Sequence, residues 1–405
     1  SPVGAGLPAR DISGKEPPMD GMGQELREQP GVWEQLWQRR QEVADAVARA
    51  CPAPPRLLVL AGCGDCHAAA ELGESLFDLR SRVPVRALPA MELSRARPHL
   101  LGPGTLLAAL SVSGRTPRVL EAVGVGLRQG ASVLGVTDDP SSPLAASVPH
   151  CFVLGTAPPD ALGRTDYRDP EAARYTGYHR PVPQTKTFGA VQLALELMCL
   201  GSRGLGAPSA RGSPEGTLEG DLARLPALAE AAVRAGEAAA ESLLGRVRPG
   251  CRVTFCGTGL NRSTARFCAY KLLELTVPAG FSDIEEFCHT RYLITGRQDA
   301  VVFFAGDEGE LERVGEIAPV IEEELGAASV SLTSAAALAP GLRNGFAIGP
   351  VSLEVSPLVL AHAGATLVRR LTLSWGLDTD RFRAGLDEER YVRGSTRMIR
   401  ESRIR

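Results

Sequence analysis

The hydroxyl-rich segment SVSGRTP, residues 111–117, has the composition of an anion-binding turn. It follows the apolar run LLAAL and precedes the helix-like RVLEAVGVGLRQG. The start of a helix presents unpaired amide hydrogens and the positive end of its dipole, and the hydroxyls of Ser111, Ser113 and Thr116 add further donors. The pattern predicts a phosphate loop. The alternative is an N-capped turn whose hydroxyl only satisfies the helix backbone.

Lysine is scarce, because the 44 basic residues include only Lys15, Lys186 and Lys271. A lysine kept inside an ordered segment is therefore a candidate for a role that needs a compact ammonium. Glu274 lies three residues after Lys271, on the same face of a predicted helix. Such a carboxylate can act as a general base while the ammonium stabilises a developing anion. The alternative is an ordinary exposed Lys–Glu pair.

The elements that must position these residues occur twice along the chain. The glycine turns at Gly62/Gly64 and Gly257/Gly259 are 195 positions apart, and each follows an apolar strand-like run and precedes a helical pattern. LLAALSVSG is repeated by DAVVFFAGD, and ASVLGVTDD by ASVSLTSAA, in the same order. Apolar runs alternating with helices predict two doubly wound parallel sheets, whose ligands bind at the carboxyl ends of the strands.

The composition of the chain limits the classes of partner that we expect it to bind. The chain has 405 residues, which suits two domains, and a net charge of −3 with 22% charged residues, so we expect neither nucleic acid nor membrane as a partner. We predict a cytoplasmic protein, because no apolar run reaches the roughly 20 residues that span a bilayer. The nine cysteines include a single CxxC, Cys63 and Cys66, without a second pair, so we expect reduced thiols and no metal site.

Several motifs occur in the order found in one known family. LSVSGRTP resembles the serine-rich phosphate loop of SIS (sugar isomerase) domains, in particular those of the isomerase half of glucosamine-6-phosphate synthase. The other matches, with the family motif in parentheses, are ELREQP (EIxEQP), AGCGDC (ACGTS), VPQTKTF (VASTKAF), KLLE (KLKE), EFCH (ELKH) and GLDTD (GTDVD). The resemblance covers the chain from about residue 24. It implies an α/β fold with two tandem doubly wound SIS domains, their parallel sheets flanked by helices.

The resemblance also implies an enediol-type proton transfer on a ring-opened sugar phosphate or amino-sugar phosphate, without a cofactor. Glu274 matches the family's proton-shuttling carboxylate, with Lys271 as its cation, and His289 matches the histidine that assists ring opening. In the family that histidine comes from the neighbouring subunit, which implies a homodimer with a shared active site; a structural histidine is the alternative. The implied substrate-binding residues are Cys63, Gly64, Asp65, Cys66, Ser111, Val112, Ser113, Arg115, Thr116, Val182, Gln184, Lys186, Glu286 and Arg397.

Departures from the family pattern predict a changed substrate or reaction. Asp65 and Cys66 stand where the family has Thr and Ser, and Arg115 replaces a Glu of the phosphate loop. Cys288 replaces a lysine, and the active-site lysine near the C-terminus has no counterpart except Arg397, whose guanidinium is a poor proton donor. The 405 residues of the sequence contain no segment that resembles a glutaminase, so we expect any ammonia to come from solution or from a separate donor.

The predicted organisation is a flexible leader at 1–21, a first SIS domain at 22–205, a linker at 206–220, a second SIS domain at 221–380 and a C-terminal tail near the active site at 381–405. Residues 155–180 form either a lid or a solvated insertion. The predicted function is a sugar-phosphate aldose/ketose isomerase, an amino-sugar-phosphate deaminase or an aminating isomerase. The alternative is a non-catalytic sugar-phosphate-binding regulatory protein.

Overall fold

The computed structural model describes residues 20–156, 183–201, 215–380, 383 and 386–404. The predicted leader up to residue 19, most of the proposed lid, Val182 and residues 206–214 of the predicted linker lie outside the described residues. Within the described ranges the chain forms two five-stranded parallel sheets, each covered by helices on both faces. The α/β fold with two tandem doubly wound units is therefore confirmed.

The first sheet has the order β2-β1-β3-β4-β5. Its strands are β1 (Leu57–Gly62), β2 (Val85–Pro89), β3 (Thr105–Leu110), β4 (Ser132–Thr137) and β5 (His150–Val153). The associated helices are α1 (Gly21–Gln38), α2 (Arg40–Ala50), α3 (Asp65–Arg80), α4 (Pro117–Arg128), α5 (Pro143–Ser147) and α6 (Lys186–Gly201), with short π and 3-10 turns at Glu92–Ala96 and Pro98–Leu100.

The second sheet has the order β10-β9-β8-β6-β7, which is the same topology when counted from its own first strand. Its strands are β6 (Val253–Gly257), β7 (Ala279–Ser282), β8 (Ala300–Ala305), β9 (Ala328–Thr333) and β10 (Gly345–Ala347). The helices are α7 (Glu215–Ala223), α8 (Leu225–Leu244), α9 (Asn261–Glu274), α10 (Ile284–His289), α11 (Glu308–Val320), α12 (Ser356–Ser374) and α13 (Glu388–Ser395), with short turns at Arg291–Ile294, Ile321–Leu325 and Thr396–Arg400.

The central strands are buried on both faces, which explains their continuous apolar sequences. Along β1, Leu58 and Leu60 belong to one core, while Val59 and Ala61 belong to the core on the opposite face. The first of these cores continues into the second domain. The repeat seen in the sequence is thus a structural duplication, and the two domains share part of their interior.

The chain before the prolines near residue 52 does not form one continuous helix. Two helices form instead, with the break at Arg39. The Arg39 guanidinium donates to the carbonyls of Val153 (3.0 Å) and Leu154 (3.1 Å), at the end of β5. These long-range bonds fix Arg39 outside helical geometry, so α2 turns to pack against β4 and β5.

Ion pairs join the domains across the surface between α3 and α9. Arg266 on α9 lies 3.0 Å from Glu71 on α3, and Arg80 at the end of α3 lies 3.0 Å from Glu354 of the second domain. The Arg80 and Glu354 side chains are only 8% and 1% exposed. A buried pair of this kind holds its partners in one relative orientation, because separating them would leave a buried charge uncompensated.

Glu196 on α6 is a buried carboxyl close to that pair. Neither of its oxygens has a hydrogen-bond partner among the described residues. Burial raises the pKa of Glu196 well above its ordinary value, and the Glu354 carboxylate adds to the rise while Arg80 opposes it. The folded chain therefore keeps Glu196 protonated where the unfolded chain ionises it.

Because the pKa of Glu196 is raised in the folded state, its contribution to stability is lost as pH rises above about 4.5. We expect Glu196→Gln to be more stable than the parent at pH 8, with a difference that widens by up to about 1.4 kcal/mol per pH unit. Urea unfolding at pH 5 and pH 8 measures it. Glu322→Gln is the matched control with the opposite sign, because hydrogen bonds from Arg246 and Ser329 outweigh burial and lower the pKa of Glu322. A Glu196→Gln variant that lost stability between pH 5 and pH 8 as steeply as the parent would contradict the assignment.

Candidate active site

Two turns lie side by side at the carboxyl edge of the first sheet. β1 and β3 are neighbours, with Ala61 paired to Ala109, and the strand order reverses direction between them. In doubly wound sheets this switch point opens a crevice for ligands. The turn after β1 together with the start of α3 contains Cys63 to Cys66, and the loop after β3 contains Ser111 to Thr116.

Glycines shape the turn after β1 for close packing. A Cβ on Gly62 would lie 2.7 Å from the backbone of Cys66, and Gly64 has φ +57°. α3 can therefore begin immediately at Asp65, which places its carboxylate at the positive end of that helix. In the second domain Gly257 and Gly259 do the same, since a Cβ on Gly257 would contact Asn261 and Gly259 has φ +53°.

The loop after β3 is folded around its hydroxyl groups. The Ser111 and Thr116 hydroxyls lie 3.0 Å apart, and Gly114 has φ +59°, where a Cβ would overlap Ser142. Thr116 precedes α4, yet its side chain makes no capping hydrogen bond. The N-capped turn, which the sequence left as an alternative, is therefore not what this loop forms.

Arginines around this loop are engaged by carboxylates. Arg115 forms an ion pair with Asp139 and donates to the carbonyl of Ser113 at 3.0 Å. Arg118, the second residue of α4, pairs with Glu121 and also donates to the carbonyl of Arg403. The chain near its C-terminal end thus returns to the helix that follows the loop.

α9 brings a lysine from the second domain into this crevice. Lys271 Nζ lies 2.8 Å from Asp65 Oδ2 and 2.9 Å and 3.0 Å from the two oxygens of Glu274. The Lys271 side chain is 1% exposed, whereas Asp65 and Glu274 are 26% and 33% exposed. A buried ammonium therefore joins two carboxylates whose outer edges face solvent, and an exposed surface pair is excluded.

The three charges affect one another's ionisation. Burial raises the pKa of Glu274 to about 7, and the Asp65 carboxylate adds to the rise while Lys271 opposes it. Burial disfavours the charged form of Lys271, but the two carboxylates outweigh it and raise the pKa of Lys271 above its ordinary value. Near neutral pH Glu274 can accept or release a proton beside a permanent cation, which is the property of a general acid–base group.

The end of α9 holds Glu274 in a strained turn. Thr276 has φ +64°, which is unfavourable for a β-branched residue, and the amide of Val277 donates to Leu272 at 2.9 Å. Such strain is often found beside functional groups. Glu274 is the last residue of the helix and therefore projects at its end.

The thiols of the first turn stay protonated. Burial raises the pKa of Cys63, and it raises the pKa of Cys66 to about 12, where a hydrogen bond with the backbone of Val112 opposes the rise. Both thiols are free. The Cys66 contact also places the two turns against each other, so Asp65 lies next to the hydroxyl-rich loop.

A carboxylate from α1 organises the start of α6. Glu25 Oε2 accepts from the amides of Thr185 (2.5 Å) and Lys186 (3.1 Å). Burial raises the pKa of Glu25, and these amides, Lys186 and Lys271 oppose the rise. Lys186 is 8% exposed and its ammonium lies 2.5 Å from Glu28. Gln184 accepts from Thr187 at 3.2 Å.

Three sequence-predicted site residues form no hydrogen bond or ion pair with the Lys271 cluster within the described part of the chain. His289 is exposed on α10, where its ring lies 3.4 Å from Glu285 on the same helix. Glu286 is exposed beside it, and Arg397 is exposed in the turn after α13. The structure thus joins Asp65 of the first turn to Lys271 and Glu274, and none of the three residues on α10 and after α13 takes part in those contacts. Val182 lies outside the described residues.

The matching crevice of the second domain is filled by the protein itself. Glu310 Oε2 accepts from the amide of Gly306 at 2.7 Å, in the loop that corresponds to the hydroxyl-rich one. Burial raises the pKa of Glu310 to about 7, the Gly306 amide opposes the rise and Asp307 adds to it. An internal carboxyl thus takes the place that an anion could occupy, so the first crevice is the candidate site.

Sequence reasoning assigned no role to Glu25, Thr185 or Arg118. In the sequence, Glu25 was noted only as part of the ELREQP motif. It shares the buried face of α1 with Met22 and Leu26, so a carboxylate at an apolar helical position was the available signal. Arg118 gave no signal, because its partner Arg403 lies 285 positions away.

No protein-family model matches the sequence, and no curated protein matches it. Among solved structures, the chain is similar to the C-terminal domain of glucosamine-fructose-6-phosphate aminotransferase from Francisella tularensis, with TM-score 0.69 and 16% identity over 89% of this chain and 98% of that one. It is also similar to glucosamine-6-phosphate deaminase from Thermotoga maritima, with TM-score 0.66 and 15% identity over 91% and 98%. Tagatose-6-phosphate ketose/aldose isomerase from Escherichia coli gives TM-score 0.65 and 18% identity over 92% and 96%.

These similarities extend over nearly the whole of each known chain. Because the sequence identities are only 15–18%, these similarities show a shared backbone fold. No helix among the residues described is long and apolar enough to cross a bilayer. With its two equivalent sheets in tandem, the chain has the fold of these solved structures, as predicted from its resemblance to tandem SIS domains.

Proposed function

We propose that the chain is a phosphosugar isomerase-type enzyme whose active site is the crevice between the first sheet and α9. The observation that carries this proposal is the Lys271 cluster. A carboxyl with a pKa near neutrality is held beside a buried cation and next to a hydroxyl-rich loop at a helix start. This combination suits abstraction of a proton from a carbon next to a carbonyl.

Each residue of the proposed site then has a role that follows from its position. Ser111, Ser113 and Thr116 donate to the phosphate together with the backbone of their loop. Ionised Glu274 removes a proton from the carbon next to the carbonyl and returns it to the former carbonyl carbon. Between these two transfers Lys271 stabilises the enediolate and remains protonated itself. Asp65 stays paired with Lys271 and accepts hydrogen bonds from sugar hydroxyls. The resembled family has at this position a hydroxyl side chain that donates to the phosphate.

We also propose that the working unit is a homodimer with a shared site. His289 is 66% exposed on its own chain, and it is followed by the exposed apolar residues Leu293 and Ile294. A second copy seated on this surface would bury those side chains and deliver His289 for ring opening. Glu286 on the same helix would contact the sugar, and Arg397 would approach it from the tail.

Nitrogen chemistry is the finer part of the proposal. The Asp65–Lys271–Glu274 set carries a net negative charge when both carboxylates are ionised. Such a site favours an ammonium or amine near the first carbons of the sugar over a second anion. We therefore include an amino-sugar phosphate among the substrates, with ammonia released to or taken from solution or a separate donor.

The decisive experiment incubates the protein with hexose and hexosamine 6-phosphates in deuterated water. We expect deuterium to enter beside the carbonyl for at least one of them, because Glu274 exchanges its proton with solvent. Ammonia release is followed in parallel and separates a deaminase from a simple isomerase. Tight binding of a phosphosugar with neither deuterium entry nor ammonia would refute the enzyme and favour a non-catalytic binding protein.

Loss of the loop hydroxyls tests the phosphate site. We expect the double variant Ser111→Ala, Thr116→Val to bind its best hexose 6-phosphate at least about 100-fold more weakly, since each of the two lost hydrogen bonds to a charged group contributes about 1.5 kcal/mol or more. Isothermal titration calorimetry measures this. Ser147→Ala is the matched control, because that hydroxyl is exposed and donates to Pro143. Equal affinities for all three proteins would place the phosphate elsewhere.

A further inference from the structure

A small cavity lies behind the candidate site, where α1, α6, α9 and α12 meet. Its walls come from both domains and consist largely of buried apolar side chains such as Trp33, Phe188 and Phe267. The free space accommodates about one water molecule. A purely apolar cavity of this size would stay dry, so its polar lining decides what it holds.

Two polar side chains in this wall lack partners within the described residues. His362 on α12 is 4% exposed and its Nε2 has no hydrogen bond, and Gln192 on α6 is fully buried with neither amide atom bonded. Buried polar groups in native proteins are almost always hydrogen-bonded, either to the protein or to an ordered water. Both groups line the same cavity. One guest can therefore satisfy both.

The lining also fixes the chemistry of the guest. Burial lowers the pKa of His362 to about 4, so its ring is neutral at physiological pH. Gln192 is neutral as well, and every other residue that lines the cavity is uncharged. An ion would not be compensated there, whereas a molecule that both donates and accepts hydrogen bonds would be.

The cavity adjoins the first turn of α6. Thr185, whose amide is held by Glu25, lines the cavity. Gln29 lines it too, and in the orientation that satisfies its amide it donates to the carbonyl of Lys186 (3.2 Å) and accepts from Trp33 Nε1 (3.1 Å). A Cβ on Gly189 would lie 2.6–2.9 Å from the atoms of the Gln29 amide group, so the glycine makes room for this contact.

We propose that one internal water occupies this cavity and bridges His362 Nε2 to the Gln192 amide. The bridge joins α12 of the second domain to α6 of the first, directly behind Thr185 and Lys186. His362 and Gln192 are thereby positioning residues for the start of α6. Only their consequence for catalysis depends on the proposed function, because the water itself is a property of the unliganded protein.

The test counts long-lived internal waters by oxygen-17 magnetic relaxation dispersion on the unliganded protein. We expect the double variant Gln192→Leu, His362→Phe to have one such water fewer than the parent. Gln41→Leu is the matched control, because that glutamine is exposed on α2. An unchanged count in the double variant overturns the proposal, and it leaves the proposed function standing because no substrate is involved.

A double-mutant cycle supplies the second measurement. Each single variant removes one partner of the water and leaves the other buried group unsatisfied, while the double variant removes both. We expect the double variant to lose less unfolding free energy than the two single variants combined. Strict additivity would show that the two side chains do not share a guest, and the proposal would then be wrong even if every variant folds.

Discussion

Glu274→Gln is expected to lower the rate of deuterium exchange into a hexose 6-phosphate substrate by about 10²–10⁴-fold, the range typical of a lost general base. The amide is close in size and can still accept from Lys271, so the fold should be retained. The measurement is the initial rate of deuterium entry at saturating substrate, followed by NMR. Affinity for the substrate should change little, because Glu274 acts on carbon and not on the phosphate.

The pH profile gives this prediction a second readout. The base must be ionised, and burial raises the pKa of Glu274 to about 7. Exchange by the parent protein should therefore rise as pH increases through about 7, and the residual rate of Glu274→Gln should lack this limb. Glu312→Gln, an exposed glutamate on α11, is the matched control and should keep both rate and profile. Unchanged turnover in Glu274→Gln would sink the assignment of the base.

Lys271→Met is expected to lower the free energy of unfolding by about 3 kcal/mol at pH 8, near the low end for breaking a buried ion pair because both carboxylates keep some contact with water. The variant leaves Asp65 and Glu274 facing each other without their common cation. At pH 5 the loss should be smaller, since a carboxyl whose pKa is raised can be protonated there. Urea unfolding at the two pH values measures the change.

A compensating substitution separates charge from packing. Adding Asp65→Asn to Lys271→Met removes one of the two repelling carboxylates and should recover part of the lost stability, whereas a pure packing defect would not respond. Lys271→Met alone should also shift the exchange profile to higher pH, because loss of the cation raises the pKa of Glu274 further. Equal stability of Lys271→Met and the parent at pH 8 would mean that the cluster contributes nothing to folding.

Both tests bear on how the site departs from the family that its motifs resemble. Asp65 stands where a hydroxyl donor to phosphate is found in that family, and in this chain it pairs with Lys271 from the other domain. In the proposed site its carboxylate therefore belongs to the acid–base cluster more than to the phosphate loop. A substrate that presents an amine or an additional hydroxyl at that position would gain a partner there.

The sequence by itself determined the two sheets and the turns between strand and helix. Continuous apolar runs are buried on both faces, and the glycines at 62, 64, 257 and 259 fit turns that leave no space for a side chain. The pairing of Lys271 with Glu274 was also predictable, since residues three apart share a helical face. These features depend on residues close together in sequence, so the spacing of apolar, glycine and charged residues along the chain predicts them.

Only the tertiary structure decided the partners that come from far away in sequence. Asp65 meets Lys271 across 206 positions, Glu25 holds the start of α6 across 160, and Arg39 ends a helix through bonds to carbonyls more than 110 positions on. Glu310, which accepts from Gly306 in its own turn, also lies near the turn after β6, where a Cβ on Gly259 would be 3.9 Å from its Oε1. No periodic pattern encodes such contacts, because they depend on how helices pack once the apolar surfaces have already been buried.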